Sequence, residues 1–275
     1  NFVAPIGVVG KSFTADTSVA GQYNIIVGQT SSNISWNLAS GGDWDTTTSA
    51  NWLLTSDNVT TQAYVDGDNV TFSNTAGGTV NIASNVNPGS VTFSAASGTY
   101  TLSGAAGITG ASGITKSGNG ILAITNANTY TGATTISGGV VQISNANALG
   151  ATGASSKTTV ASGSALEISG GISTGESIDI AGSGVSNGGA IRNTSGTNTV
   201  SGAVTLTAAA SIASDAGTLT LTGGVNNGGN LLTVSGAGNT TVSTTKITGN
   251  GGLTKTGNGT LTLNVANDYT GATTV

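Results

Sequence analysis

Residues 113–136 read GITKSGNGILAITNANTYTGATTI, and residues 252–275 read GLTKTGNGTLTLNVANDYTGATTV. Aligned without a gap at an offset of 139, 15 of the 24 positions are identical, and changes such as Ile114/Leu253, Ser117/Thr256 and Ile136/Val275 are conservative. A unit repeated this faithfully constrains the fold more than any other feature. It predicts a quasi-one-dimensional architecture, in which each unit buries its apolar side only by stacking on its neighbours. Such a chain is built as a long surface rather than around one pocket.

The local pattern specifies the kind of unit. From Val70 onward, short apolar-alternating segments are separated by Gly, Asn and Ser turns. Examples are Thr79–Ile82, Ser90–Phe93, Ile121–Ile124, Ala165–Ile168, Ser177–Ile180 and Leu231–Val234. Period-two alternation points Ile, Leu and Val to one side and Thr, Ser or a charge to the other, which is strand behaviour. Asn-Gly turns at 119–120, 187–188, 227–228 and 258–259 supply the positive-φ positions of sharp corners. Two or three strands with their turns make a coil of about 20–25 residues. The sequence therefore predicts an all-β fold, a right-handed single-stranded parallel β-helix (β-solenoid) with an N-terminal cap. About 200 residues give about nine coils and a rod of about 40–45 Å. The expected organisation is a cap or docking strand over 1–35, a Trp- and Asp-rich lead-in over 36–69, and the β-helix over 70–275. Pro5 suits an edge position, because proline cannot donate to a ladder. Thr-x-Thr elements recur at irregular intervals, which favours outward Thr ladders over a single lattice.

Composition removes several function classes. Only 6% of residues are charged, against about 25% in an ordinary domain. The chain has no His and no Cys, so Ser-His-Asp and Cys-His catalysis and imidazole or thiolate metal sites are excluded. Six basic residues and a net charge of −5 cannot form the basic stripe that nucleic acid needs. No apolar run reaches the length of a membrane span. No cofactor is expected. The start at Asn1 is consistent with a removed signal peptide or a trimmed chain.

The pattern Gly113-Ile-Thr-Lys-Ser-Gly-Asn-Gly120, then Asn128-Thr-Tyr-Thr-Gly-Ala-Thr-Thr-Ile136 and Ser137–Ile143, resembles the passenger-associated transport repeat of autotransporters. Residues 252–275 resemble it equally. The region from Trp44 to Phe72 resembles, less closely, the lead-in before such repeats. The resemblance implies a type V secretion passenger: a β-helix exported to the cell surface, without catalytic activity. The chain stops inside the second copy, and the counterpart of Ser137–Ile143 is expected from a longer chain or from another molecule.

Few residues invite a site. Trp36, Trp44 and Trp52 are spaced by eight. They suit either a platform for sugar rings or a plug for the first coil, and the plug is the simpler reading. Asp66 and Asp68, with Asp43 and Asp45, could offer oxygens to Ca²⁺, but the spacing matches no known loop and an Asp-Gly turn explains it. No metal site is expected. Glu167, Glu176, Asp179 and Arg192 form the local charged cluster. Glu167, Asp179 and Arg192 alternate with inward residues, so they read as a solvated face, with a glycan-cleft acid pair as the sharper alternative. Tyr130 and Tyr269 occupy equivalent positions and share a packing role.

Three functions are compatible with these features. The first is a secreted, surface-displayed structural and adhesive rod that meets a host or matrix glycan or protein. The second is a filament subunit joined head-to-tail, with Phe2, Val3, Ile6, Val8 and Val9 docking on Thr273, Thr274 and Val275 of the next molecule. The third is a glycan-binding or glycan-cleaving β-helix.

Overall fold

The computed structural model describes residues 11–16, 24–46, 49–153 and 155–275. The chain from Asn33 onward winds as a parallel β-solenoid with three ladders of stacked strands. The first ladder begins at Asn33–Trp36 and continues through Asn69–Phe72, Ser90–Phe93, Ile114–Lys116, Thr134–Ile136, Thr158–Val160 and Ile178–Gly182. The second begins at Gly41–Trp44 and continues through Gly77–Ile82, Thr99–Ser103, Ile121–Ile124, Val140–Ile143, Ala165–Ile168 and Ile191–Asn193. The 11-residue strand Val204–Ser214 turns the corner between them, so the two ladders read as one sheet. The third ladder is shorter, from Ser173–Thr174 through Thr197–Val200, Thr218–Leu221 and Asn239–Val242 to Leu261–Leu263. Before Ser173 the third side is made of turns, tied by a bridge between Val86 and Ile108.

Coil length follows turn length. One of the shorter coils carries the chain from Ile114 to its register partner Thr134, and a longer one carries it from Ile178 to Val204. The first coil is longer still, from Asn33 to Asn69, because it holds an antiparallel excursion through Trp52–Leu54 and Thr61–Gln62. The Trp- and Asp-rich stretch expected as a lead-in is thus the first coil itself. On the third ladder the interval is the same from Thr197 onward. It brings Thr199, Thr220, Thr241 and Thr262 into one outward file, with Thr197, Thr218 and Asn239 beside them. The irregular spacing expected from the sequence belongs to the other two faces.

The interior is one continuous column of buried side chains. Its first coils are aromatic. Phe72 and Phe93 are register partners and stack with centroids 4.4 Å apart and planes 6° from parallel. Later coils are filled by Val, Ile and Leu, such as Leu166, Ile191, Ile212 and Val234, each buried. Burying such a side chain contributes about 1.5–3 kcal/mol. Stacked coils expose no loose edge along their length, because interior strands bond to a neighbour on both sides.

At the N-terminal end, Lys11–Asp16 pairs antiparallel with Asn24–Gln29 as a two-stranded ribbon. Among the described residues this ribbon pairs with no solenoid strand. Most of the rest of the cap expected over 1–35 lies outside the described residues. Among the described residues no helix is long and apolar enough to cross a membrane.

Candidate functional site: the repeated coil and its buried polar groups

The two copies of the repeat seat on the preceding coil in the same way. Asn128 Oδ1 accepts from the Ile108 amide at 2.9 Å, and Asn267 Oδ1 accepts from the Ile247 amide at 2.7 Å. The Thr131 amide donates to Gly110 O at 2.9 Å, and the Thr270 amide to Gly249 O at 3.1 Å. Tyr130 Oη lies 2.7 Å from Thr134 Oγ1, and Tyr269 Oη lies 2.8 Å from Thr273 Oγ1. Gly132 packs against the Gly113 backbone and Gly271 against Gly251 and Gly252; a Cβ on either would lie 2.5 Å from the nearest backbone atom. Residues identical in the two copies are therefore largely those that lock one coil onto the last.

The two copies occupy different faces. In the first, the strands Ile114–Lys116 and Ile121–Ile124 lie in the first and second ladders. In the second, the equivalent strands Leu253–Lys255 and Leu261–Leu263 lie in the second and third ladders. Following the register from Ile114 to Ile247 and on to Leu253, the copies are separated by six coils and one face. The motif is thus a local cassette whose contacts do not depend on which side of the rod it occupies.

Lys116 points inward, where alternation directs it, and is 2% exposed. Its Nζ donates to Gly118 O and, at 2.9 Å, to Gly138 O of the next coil. Burial holds its pKa down to about 8. Lys255 makes the local bond to Gly257 O at 3.0 Å and one to Thr256 O at 2.6 Å. Leu122, Ile124, Tyr130 and Ile136 are buried under the coil that follows, whereas Leu263 and Val275, the counterparts of Ile124 and Ile136, are exposed.

A second buried polar group lies two coils further. Glu176 is 1% exposed; Thr158 Oγ1 donates to its Oε1 at 3.1 Å, and its Oε2 has no hydrogen-bond partner. Thr158 is the register partner of Thr134, which meets Tyr130. Tyr130, Thr134, Thr158 and Glu176 thus form a polar column inside an apolar core. Burial raises the Glu176 pKa to about 7, and burial likewise raises that of Tyr130. The sequence grouped Glu176 with Glu167 and Asp179. The available signal was its phase, since Thr174, Glu176, Ile178 and Ile180 alternate on one side.

Residues 114–143 and 253–275 match the family model of the passenger-associated transport repeat. The chain carries transport repeats. Together with the β-solenoid, they fit an autotransporter passenger with repeats. Comparison with curated proteins and with solved structures gave no match.

The other candidate residues lie apart from the transport repeats. Trp36, Trp44 and Trp52 are 3%, 0% and 0% exposed. They pack edge-to-face with one another and with Tyr64, so no ring face is left at the surface for a sugar. Asp68 is buried, its pKa raised by desolvation, and it accepts from the amides of Ser32 at 2.7 Å and Val65 at 2.9 Å. Asp66 Oδ1 accepts from Tyr64 Oη at 3.0 Å and the Asn87 amide at 2.8 Å. Asp43 accepts from Asn81 Nδ2 at 2.7 Å, and Asp45 from Ser49 Oγ at 2.6 Å. These carboxylates serve turns, and no three acidic side chains converge among the described residues.

Glu167, Asp179 and Arg192 face outward, on two ladders. Glu167 accepts from Arg192 at 3.0 Å and from Gln142 at 2.8 Å, Arg192 also donates to Asp215 at 2.7 Å, and Asp179 pairs with Lys157. Glu167 and Asp179 are separate, each bound by a cation of a neighbouring coil. They form no facing acid pair. Of the proposed assembly contacts, Thr273, Thr274 and Val275 are exposed, and Phe2, Val3, Ile6, Val8 and Val9 lie outside the described residues.

Proposed function

We propose that this chain is the surface-displayed part of an autotransporter-type protein, a structural and adhesive rod without catalytic activity. The observation that carries the reading is the transport repeat seated twice on one solenoid, by the same bonds, on two different faces. A coil that locks onto its predecessor by local contacts extends a rod by one rung at a time. The outward files of Thr, Asn and Ser present hydrogen-bonding groups with little charge, which suits contact with neutral surfaces outside a cell. Catalysis finds no support among the described residues, where the outward acids are bound in ion pairs and the inward acid has no access to solvent.

The test is display. The chain is fused ahead of a translocator β-barrel and expressed in a Gram-negative host. Exposure is read by antibody labelling and protease shaving of intact cells, and adhesion by retention on immobilised glycans and matrix proteins. Surface labelling with retention above a barrel-only control is expected. Failure of export refutes the passenger role, and export without retention refutes the adhesive one.

A further inference from the structure

One recess on the outer surface has the composition of a ligand site. It lies where the third side turns into the first ladder and spans three consecutive coils. Its volume is about 420 Å³, and its walls include Asp66, Asn87, Pro88, Ala111 and Ser112. A neighbouring recess of about 250 Å³, lined by Thr46, Val65, Ser84 and Asn85, shares the Asp66 wall. The volume of the first falls within the range of small-molecule sites, about 300–1,000 Å³.

Three polar groups converge there with unused hydrogen-bonding capacity. Asp66 is held by its Oδ1, which accepts from Tyr64 Oη and the Asn87 amide, and its Oδ2 makes no bond to the described residues. The Asn87 side-chain amide likewise has no partner among them, though its backbone is tied to Asp66. Ser112 Oγ is shielded from water and unpartnered. Pro88 supplies a rigid apolar surface between them. The recess is also built around glycine. Gly110 has φ +86°, and a Cβ there would lie 1.8 Å from Asn87 Oδ1, so the carboxamide occupies space that only glycine leaves.

The donor set selects the ligand class. A hard cation takes about six to eight oxygens, and one carboxylate with two neutral groups falls short. An anion would meet Asp66 with no basic side chain in the wall. A carboxylate acceptor, a carboxamide that both donates and accepts, and a hydroxyl suit vicinal hydroxyl groups, while the proline face suits the apolar side of a ring. We infer that this recess binds a neutral saccharide, roughly one or two rings of it, through Asp66, Asn87 and Ser112. The inference rests on the adhesive reading and supplies its ligand, in place of the buried tryptophans.

The test uses the purified 275-residue chain and a panel of neutral di- and trisaccharides, with a uronate disaccharide for comparison. Saturation-transfer NMR finds binders, and calorimetry measures them. At least one neutral saccharide is expected to bind, with the uronate excluded. Asn87→Ala and Gly110→Ala are each expected to weaken binding about tenfold, the loss of about one good hydrogen bond. Asn87→Ala removes only an exposed amide, and an unchanged unfolding midpoint confirms that it folds. No binding by any neutral saccharide, preference for the uronate, or equal binding by wild type and Asn87→Ala overturns the assignment. The display assay separates the two ideas: adhesion that survives Asn87→Ala leaves the adhesive rod standing and removes this recess.

Discussion

The two buried charges inside the rod oppose each other across the pH scale. Glu176 has an ordinary pKa of 4.5 and a folded value of about 7. The folded state therefore holds its proton where the unfolded state has lost it. Stability from this group is complete below pH 4.5 and is lost progressively as pH rises to about 7. Lys116 has an ordinary pKa of 10.5 and a folded value of about 8. Here the folded state sheds a proton that the unfolded state keeps, so its cost is complete below about pH 8 and is relieved as pH rises toward 10.5. At about 1.36 kcal/mol per unit, each group spans at most about 3 kcal/mol, and about 2 kcal/mol after allowance for water near the solenoid corners. The expected profile falls through mild acid, reaches a trough between about pH 7 and 8, and recovers above it. Asp68, also raised by burial, deepens the acid-side slope, and Tyr64 and Tyr130, raised by burial, bring stability down again once unfolded tyrosines ionise above about pH 10. The assay is urea unfolding followed by circular dichroism across this range, on wild type, Glu176→Gln and Lys116→Met. Glu176→Gln should flatten the acid limb and Lys116→Met the alkaline one. A wild-type midpoint that rises between pH 5 and 7, or a Glu176→Gln variant that keeps the full acid-side slope, refutes the reasoning.

Three other substitutions probe the packing. Gly132→Ala should cost several kcal/mol, because its Cβ would lie 2.5 Å from the Gly113 backbone, and calorimetric melting should show the loss. Asn128→Ala removes an acceptor for the Ile108 amide and a donor to Ala148 O, and should cost about 2–4 kcal/mol in denaturant titration; a loss under about 1 kcal/mol would mean that water replaces the carboxamide. Trp44→Ala should cost about 3–5 kcal/mol by opening a cavity among Trp52, Tyr64 and Phe72, and wild-type tryptophan emission should be blue-shifted and resistant to acrylamide quenching.

Much of the fold was legible because strand alternation and stacking are local rules. Thr-x-Thr and Ile-x-Ile patterns place side chains in or out without knowledge of the partner strand, and Glu167, Asp179 and Arg192 do face outward. The same rule held the information about Glu176, in phase with Ile178 and Ile180, but a charged residue read by type rather than by phase was assigned to the surface cluster. The tryptophans were undecidable at that level. Their spacing of eight suits a plug or a platform, and only packing against Tyr64 and Phe72 removes them from solvent. The recess at Asp66 carries no sequence signal at all, since Asp66, Asn87 and Ser112 come from three successive coils and meet only when those coils stack.

The sequence by itself determined that this is a stacked β-structure, what each coil is made of, and which motif is repeated. Those properties follow from alternation, turn chemistry and internal identity, all read within one coil. The tertiary structure alone decided which residues meet between coils. Small differences in turn length accumulate along the rod, as between the short coil that brings Ile114 to Thr134 and the longer one that brings Ile178 to Val204. Their sum rotates the second transport repeat by one face, brings the threonines of the third ladder into file, and leaves Lys116 and Glu176 inside.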